Sequence, residues 1–150
     1  MRFISFLHND KASWGALRDE QIINLGDLLG GDLRSAITSD NLASARALAT
    51  EQHPTLDLSA VTLTPPVPYP EKIACIGVNY ANRNAEYKDG TEAPTKPSLF
   101  MRTPDSLTAH NADLLRPPES EQLDYEGEIV VVIGKPGRRI REDDAYQHIA

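Results

Sequence analysis

The chain has 150 residues, 22 acidic against 15 basic, and a formal net charge of −7. That balance excludes the basic face a general nucleic-acid binder needs. The single Cys75 excludes an intramolecular disulfide or a cysteine-cluster zinc site. Apolar residues make up 40%, enough to build the core of one ordinary domain or two small ones.

At the start, "MRFISFL" is cut short by His8, Asn9 and Asp10, so it lacks a signal-peptide core. No apolar run is long enough to span a membrane. A reducing, cytoplasmic setting is therefore expected, with neither membrane nor nucleic acid as partner. "RFISFLHND" and "QIINLG" read as strands with a turn region between them. "DLRSAI" and "NLASARALAT" read as short helices, the second capped by Ser39 or Asp40. Nothing in residues 1–64 has the spacing of a catalytic group, so this small α/β domain is expected to serve packing or dimerisation.

Pro65, Pro66, Pro68 and Pro70 then hold the chain extended, because proline fixes φ and lacks an N–H. Residues 65–71 read as a linker. "KIACIGVNY" and "PSLFMRT" follow as strands, with "ANRNAEYK" between them as a helical turn or loop. Pro117 and Pro118 mark a turn, and "LDYEGEIVVVIG" (123–134) reads as a strand that runs into a core. "KPGRR" is a turn. "REDDAYQHIA" starts like a helix, with three acids in its first turn to suit the helix dipole. Its apolar residues need something to pack against, so the chain is expected to be part of a larger folding unit.

Asp124, Glu126 and Glu128 alternate, so a strand would carry all three on one face. Three such carboxylates beside a core repel one another and lose hydration. Two compensations are open: a hard divalent cation, or arginine and lysine partners at a solvated strand end. Gly127 would let the strand bulge or a ligand approach. Cys75 lies in an apolar run and is no candidate nucleophile. Gly77 is read as allowing a turn after its strand. His110 and His148 have no partner at useful spacing and are read as structural or exposed.

"KIACIGVNYANRNAE", "KPSLFMRTPDSL" and "LDYEGEIVVVIGK" together resemble the fumarylacetoacetate hydrolase family, over about Lys72 to Ala150. The resemblance implies an α+β, mostly β fold. A small N-terminal α/β domain (1–64) and the linker (65–71) would precede the first portion of a mixed β-sandwich or roll (72–150). It implies a Mg²⁺ cofactor, with Mn²⁺ or Ca²⁺ possible, held in part by Glu126 and Glu128. Asp124 would then play a supporting role. The implied substrate is a small 2-oxo or enol carboxylate, and the implied assembly is a homodimer. The metal would chelate the carboxylate and keto oxygens and stabilise an enolate.

Two departures from the family pattern matter. Its third metal carboxylate would fall beyond Ala150, so the rest of the catalytic domain is needed. Hydrolytic members carry N-Y-x-x-H-x-x-E, whereas this chain has Asn79, Tyr80, Arg83 and Glu86 in that frame. A guanidinium is a poor base at neutral pH but grips a carboxylate bidentately. Arg83 is thus expected to bind and orient substrate, with Tyr80 and Arg102 as further substrate contacts, and Glu86 to carry proton chemistry. The alternative is a surface pair between Arg83 and Glu86, which at i and i+3 meet on a helix. C–C bond hydrolysis is the first expectation for the reaction. Isomerase or decarboxylase chemistry, or a non-catalytic binding relative, are the alternatives. Lys96 is a weaker anion contact of the same kind as Arg102.

Overall fold

Two-residue turns organise the first part of the chain. Asn9 and Asp10 (φ 49° and 60°) and Asp19 and Glu20 (φ 46° and 63°) all adopt positive φ. That geometry matches the twist of antiparallel strands. It joins β1 (Arg2–His8), β2 (Lys11–Arg18) and β3 (Gln21–Asn24) into a meander. β4 (Leu56–Asp57) adds beside β3 and β5 (Thr62–Thr64) beside β1, all antiparallel, giving the order β4-β3-β2-β1-β5. The computed structural model describes residues 1–39, 41–80, 90 and 95–150. The chain divides into two compact units, Met1–Val67 with Thr108–Ala150, and Pro68–Leu107. The division falls within the proline-rich segment. There Ser5 Oγ donates to the Pro66 carbonyl at 2.7 Å.

β2 was not expected, because Gly15 and its small neighbours Ala12, Ser13 and Ala16 give residues 11–18 a weak strand signal. The structure shows why glycine is there. A Cβ at Gly15 would run into the Ile23 carbonyl oxygen of β3. The residue that hides the strand is thus the one its pairing demands. Register Ser5↔Trp14 and Ala16↔Ile23 puts Trp14, Ala16 and Ile23 into one core.

Three helices supply the rest of that core. α1 (Leu25–Leu29) was unexpected, being only five residues long; Leu25 is fully buried. α2 (Leu33–Thr38) contributes Leu33 and Ala36, and α3 (Leu42–Glu51) contributes Ala45 and Ala49. Alanines at i and i+4 share a helix face and leave room for close approach. Trp14 is fully buried, and its Nε1–H donates to the Gly30 carbonyl at 3.1 Å. Arg18 donates to the Ala49 and Thr50 carbonyls, satisfying the end of α3. The cap of α3 is Asn41, without a side-chain hydrogen bond. Ser39 instead closes α2, its hydroxyl donating to the Ser35 carbonyl at 2.5 Å, while Asp40 lies outside the described residues.

α2 has the reciprocal cap its sequence allows. Asp32 accepts from the Ser35 amide at 2.7 Å, and Ser35 Oγ accepts from the Asp32 amide at 2.9 Å. The hydrogen bonds from Ser35 hold the Asp32 carboxyl below its ordinary pKa. A lowered pKa means the cap stabilises fully above the unfolded carboxyl value, about 3.9. The contribution is lost as the pH falls through the lower, folded value. Asp32→Ala is expected to cost about 1 kcal/mol at neutral pH. The difference from the parent protein should shrink in acid, as read by urea titrations across that range.

In the unit Pro68–Leu107, β6 (Ile73–Gly77) pairs antiparallel with β7 (Ser98–Arg102), opposing Cys75 to Phe100. Both expected strands are present. A short 3₁₀ turn, Pro104–Ser106, follows β7.

Residues 124–132 form no ladder, where a strand over 123–134 was expected. A strand exists by pairing its N–H and C=O groups, and among the described residues no strand pairs with these. Tyr125, Ile129 and Val130 are 90%, 87% and 81% exposed. The first pairing is an antiparallel bridge between Ile133 and Ile149. The helix expected after Arg141 is a 3₁₀ helix, Glu142–His148, and Ile149 leaves it extended to make that bridge. The fold class is α+β, mostly β. Among the described residues, no helix is long and apolar enough to cross a membrane.

Candidate metal and substrate site

The candidate metal-binding residues follow the turn at Pro117 and Pro118. Glu126 and Glu128 are exposed and flank Gly127. Among the described residues, neither carboxylate is engaged by a hydrogen bond or an ion pair. A Cβ at Gly127 would meet nothing within 4 Å. Among the described residues nothing demands glycine there, and the space beside it is open. The donor set is two hard carboxylates, which suits Mg²⁺ or Mn²⁺. Among the described residues, no group of three or more His, Cys, Asp or Glu side chains converges on one ion position. Glu126 and Glu128 alone therefore make no complete coordination shell among the described residues.

Asp124 behaves differently from the two glutamates. Its Oδ1 accepts from the Tyr125 amide at 2.8 Å, a local bond that shapes the backbone just before Glu126.

In the other unit, Tyr80 is 58% exposed. Arg102 ends β7, with its guanidinium 5.5 Å from the centre of the Phe100 ring. The two are i and i+2 and share a strand face. Lys96 and His110 are exposed. Cys75 is partly buried on β6. Gly77 lies within β6 rather than after it, opposite Ser98, whose Oγ a Cβ would meet at 2.5 Å. Arg83, Glu86 and the rest of "ANRNAEYK" lie outside the described residues.

One feature near the substrate frame had no signal in the sequence. Val78, directly before Asn79 and Tyr80, has φ 53°. A β-branched residue in the left-handed region is strained, and such strain gathers at functional segments. His148 has a clear structural partner: its Nδ1–H donates to the Lys135 carbonyl at 2.8 Å.

Comparison with known proteins places these residues in a family. The model "Fumarylacetoacetate (FAA) hydrolase C-terminal" matches residues 72–150. The mitochondrial oxaloacetate tautomerase FAHD2A of Bos taurus is 40% identical over 105 residues, which is 70% of this chain and 32% of that protein. The chain thus spans about a third of the length of the curated relatives it matches. A probable 2-hydroxyhepta-2,4-diene-1,7-dioate isomerase from Mycobacterium abscessus is 28% identical with a TM-score of 0.71. The match covers 100% of this chain and 49% of that one. Maleylpyruvate hydrolase from Sphingobium, solved in complex with manganese(II) and pyruvate, is 19% identical with a TM-score of 0.70. That match covers 99% of this chain and 55% of the other, and it carries the fold alone. Matched from Lys72 to Ala150, more than half its length, the chain belongs to the fumarylacetoacetate hydrolase family.

Proposed function

We propose that this chain carries the N-terminal domain (1–64), linker (65–71) and first catalytic portion (72–150) of a divalent-metal-dependent enzyme. The enzyme interconverts the keto and enol forms of a small 2-oxo carboxylate. The observation that carries the reading is the open, unengaged Glu126-Gly127-Glu128 segment inside the family-matched region. The relatives' own names, oxaloacetate tautomerase among them, support tautomerisation over hydrolysis. The absence of the water-activating histidine, where Arg83 stands, supports it too.

A divalent cation bound by Glu126 and Glu128 supplies a Lewis acid to an oxo-acid substrate. Mg²⁺ fits the hard donor set, and the manganese in the Sphingobium neighbour favours Mn²⁺ as an alternative. The remaining ligand comes from the part of the catalytic domain that the longer relatives contain. Arg83 grips the substrate carboxylate, with Tyr80 and Arg102 as further contacts. Glu86 takes a proton from the carbon beside the keto group and hands it on to the keto oxygen, which completes the enol and leaves Glu86 ionised again. The enzyme works as a homodimer in the cytoplasm, although the mammalian relatives are named mitochondrial. C–C bond hydrolysis is the second reading, supported by the maleylpyruvate hydrolase neighbour.

The test offers the longest native form, with Mn²⁺, oxaloacetate and a 2,4-dioxo acid in parallel. Tautomerisation leaves the carbon skeleton whole; hydrolysis releases two products. Turnover of oxaloacetate without fragments supports the first reading. Fragments from the dioxo acid alone support the second, and tight metal binding without either turnover overturns both. Arg83→Leu is expected to raise KM for the anionic substrate by about tenfold to a hundredfold. Unchanged steady-state kinetics would leave Arg83 as a surface partner of Glu86.

A further inference from the structure

The segment that carries Glu126 and Glu128 ends on a tight seat against α2. Gly134 closes that segment, and a Cβ there would stand 3.0 Å from the Ala150 Cβ and 3.3 Å from its Cα. On the other side it would stand 3.4 Å from the Ile37 Cγ2. The φ of Gly134 is outside the left-handed region, so want of space, not backbone conformation, asks for glycine. Ile37 in turn packs against the core cluster around Trp14, so the wall of the seat has close-packed side chains behind it.

Hydrogen bonds pin the same point. The Gly134 and Lys135 amides donate to the His148 carbonyl at 2.9 and 3.3 Å, and the Ala150 amide donates to the Val132 carbonyl at 3.0 Å. They flank the Ile133–Ile149 bridge. Val132 is 38% exposed and Ile133 61%, so the even-numbered side is the more covered one here. Backbone bonds by themselves permit slippage, because every non-proline residue offers the same donor and acceptor. The seat does not permit it. A slip of one residue would bring Ile133 or Lys135 onto it, and neither side chain has room beside Ala150 and Ile37.

Counted back from Gly134 with the period of a strand, Val132, Val130, Glu128 and Glu126 share its face. A slip of one residue would turn both carboxylates to the opposite side. We propose that Ile37 and Gly134 form a register lock, through which α2 decides the side on which Glu126 and Glu128 project. Both are positioning residues: they touch no metal and act through the backbone between the seat and the glutamates. The first part of the chain thereby has a role beyond packing. The consequence for metal affinity rests on the metal reading proposed above; the lock itself does not.

Amide hydrogen exchange of the longest native form without metal, beside calorimetric titration with Mn²⁺, tests it. Gly134→Val should speed exchange of the amides at positions 134 and 135 about tenfold. It should also weaken Mn²⁺ binding about tenfold or more, the scale for groups that orient metal ligands. Ile37→Ala should move both readouts in the same direction to a smaller degree. Ile37→Val keeps the Cγ2 that touches the seat and should match the parent in both. That split separates a lock from packing alone, since both substitutions remove core volume but only alanine removes the contact atom. Parental exchange in Gly134→Val, or an Ile37→Val that behaves like Ile37→Ala, would overturn the proposal. Circular dichroism checks folding; if Gly134→Val does not fold, the comparison of Ile37→Ala with Ile37→Val decides. A parent that binds no Mn²⁺ would sink the metal reading, and the exchange data would then decide the lock by themselves.

Discussion

Replacing Glu126 and Glu128 together with glutamine is expected to abolish Mn²⁺ and Mg²⁺ binding in the longest native form. Turnover should fall roughly a hundredfold or more, since loss of even supporting groups around a metal costs about 10–100-fold. Glutamine keeps size and polarity but removes the charge that a hard cation needs. Both side chains are exposed and without partners among the described residues, so the substitution breaks no bond there. Stability should therefore be unchanged or slightly raised, because two like charges close to Asp124 are removed. Calorimetric titration with either ion, beside a urea melt, separates the two effects. Metal binding of parental strength in the double variant would sink the metal site. A large loss of stability would show instead that the acids hold the fold.

Trp14→Ala should have the largest effect on stability, about 3–5 kcal/mol. The indole is fully buried and forms the centre of a core otherwise built from small and medium residues. Its core cluster includes Ala16, Ala36, Ala45 and Ala49, which cannot expand to fill the void. Phe3 packs against it at 6.2 Å between ring centres, and Arg46 lies 5.8 Å over the Phe3 ring. Truncation also strips the Gly30 carbonyl of its donor. A loss of this size is comparable to the whole net stability of a small domain. Trp14 is the single tryptophan, so circular dichroism rather than fluorescence must follow the melt. Trp14→Phe should recover much of the loss, keeping the aromatic volume without the N–H. Equal melts for Ala and Phe would place the energy in the hydrogen bond rather than in packing.

What the sequence determined by itself was local or chemical. Strands β1, β3, β6 and β7 were legible because short apolar runs bounded by turn residues need only a neighbour to become ladders. The helix α2 was legible from "DLRSAI"; the structure adds the capping box at Asp32 and Ser35 that closes its start within one turn of chain. The Glu126-Gly127-Glu128 pattern was legible as two hard oxygen donors around a residue without a side chain, with a divalent cation and basic partners both open as compensation. The family followed from that pattern in the company of "GVNY".

What the tertiary structure decided was whatever depends on a partner distant in sequence. β2 was hidden behind Gly15, and only the Ile23 carbonyl shows why glycine is required. α1 is too short to be periodic and is held by burial of Leu25. The positive φ at Val78 is a cost that no residue preference announces. Residues 124–132 have the alternation of a strand yet form none, because alternation records which faces a strand would bury and cannot supply the strand beside it. The pairing of Gly134 and Lys135 with His148 turned a run of cations into a held loop, and that closure is a matter of tertiary hydrogen bonds alone.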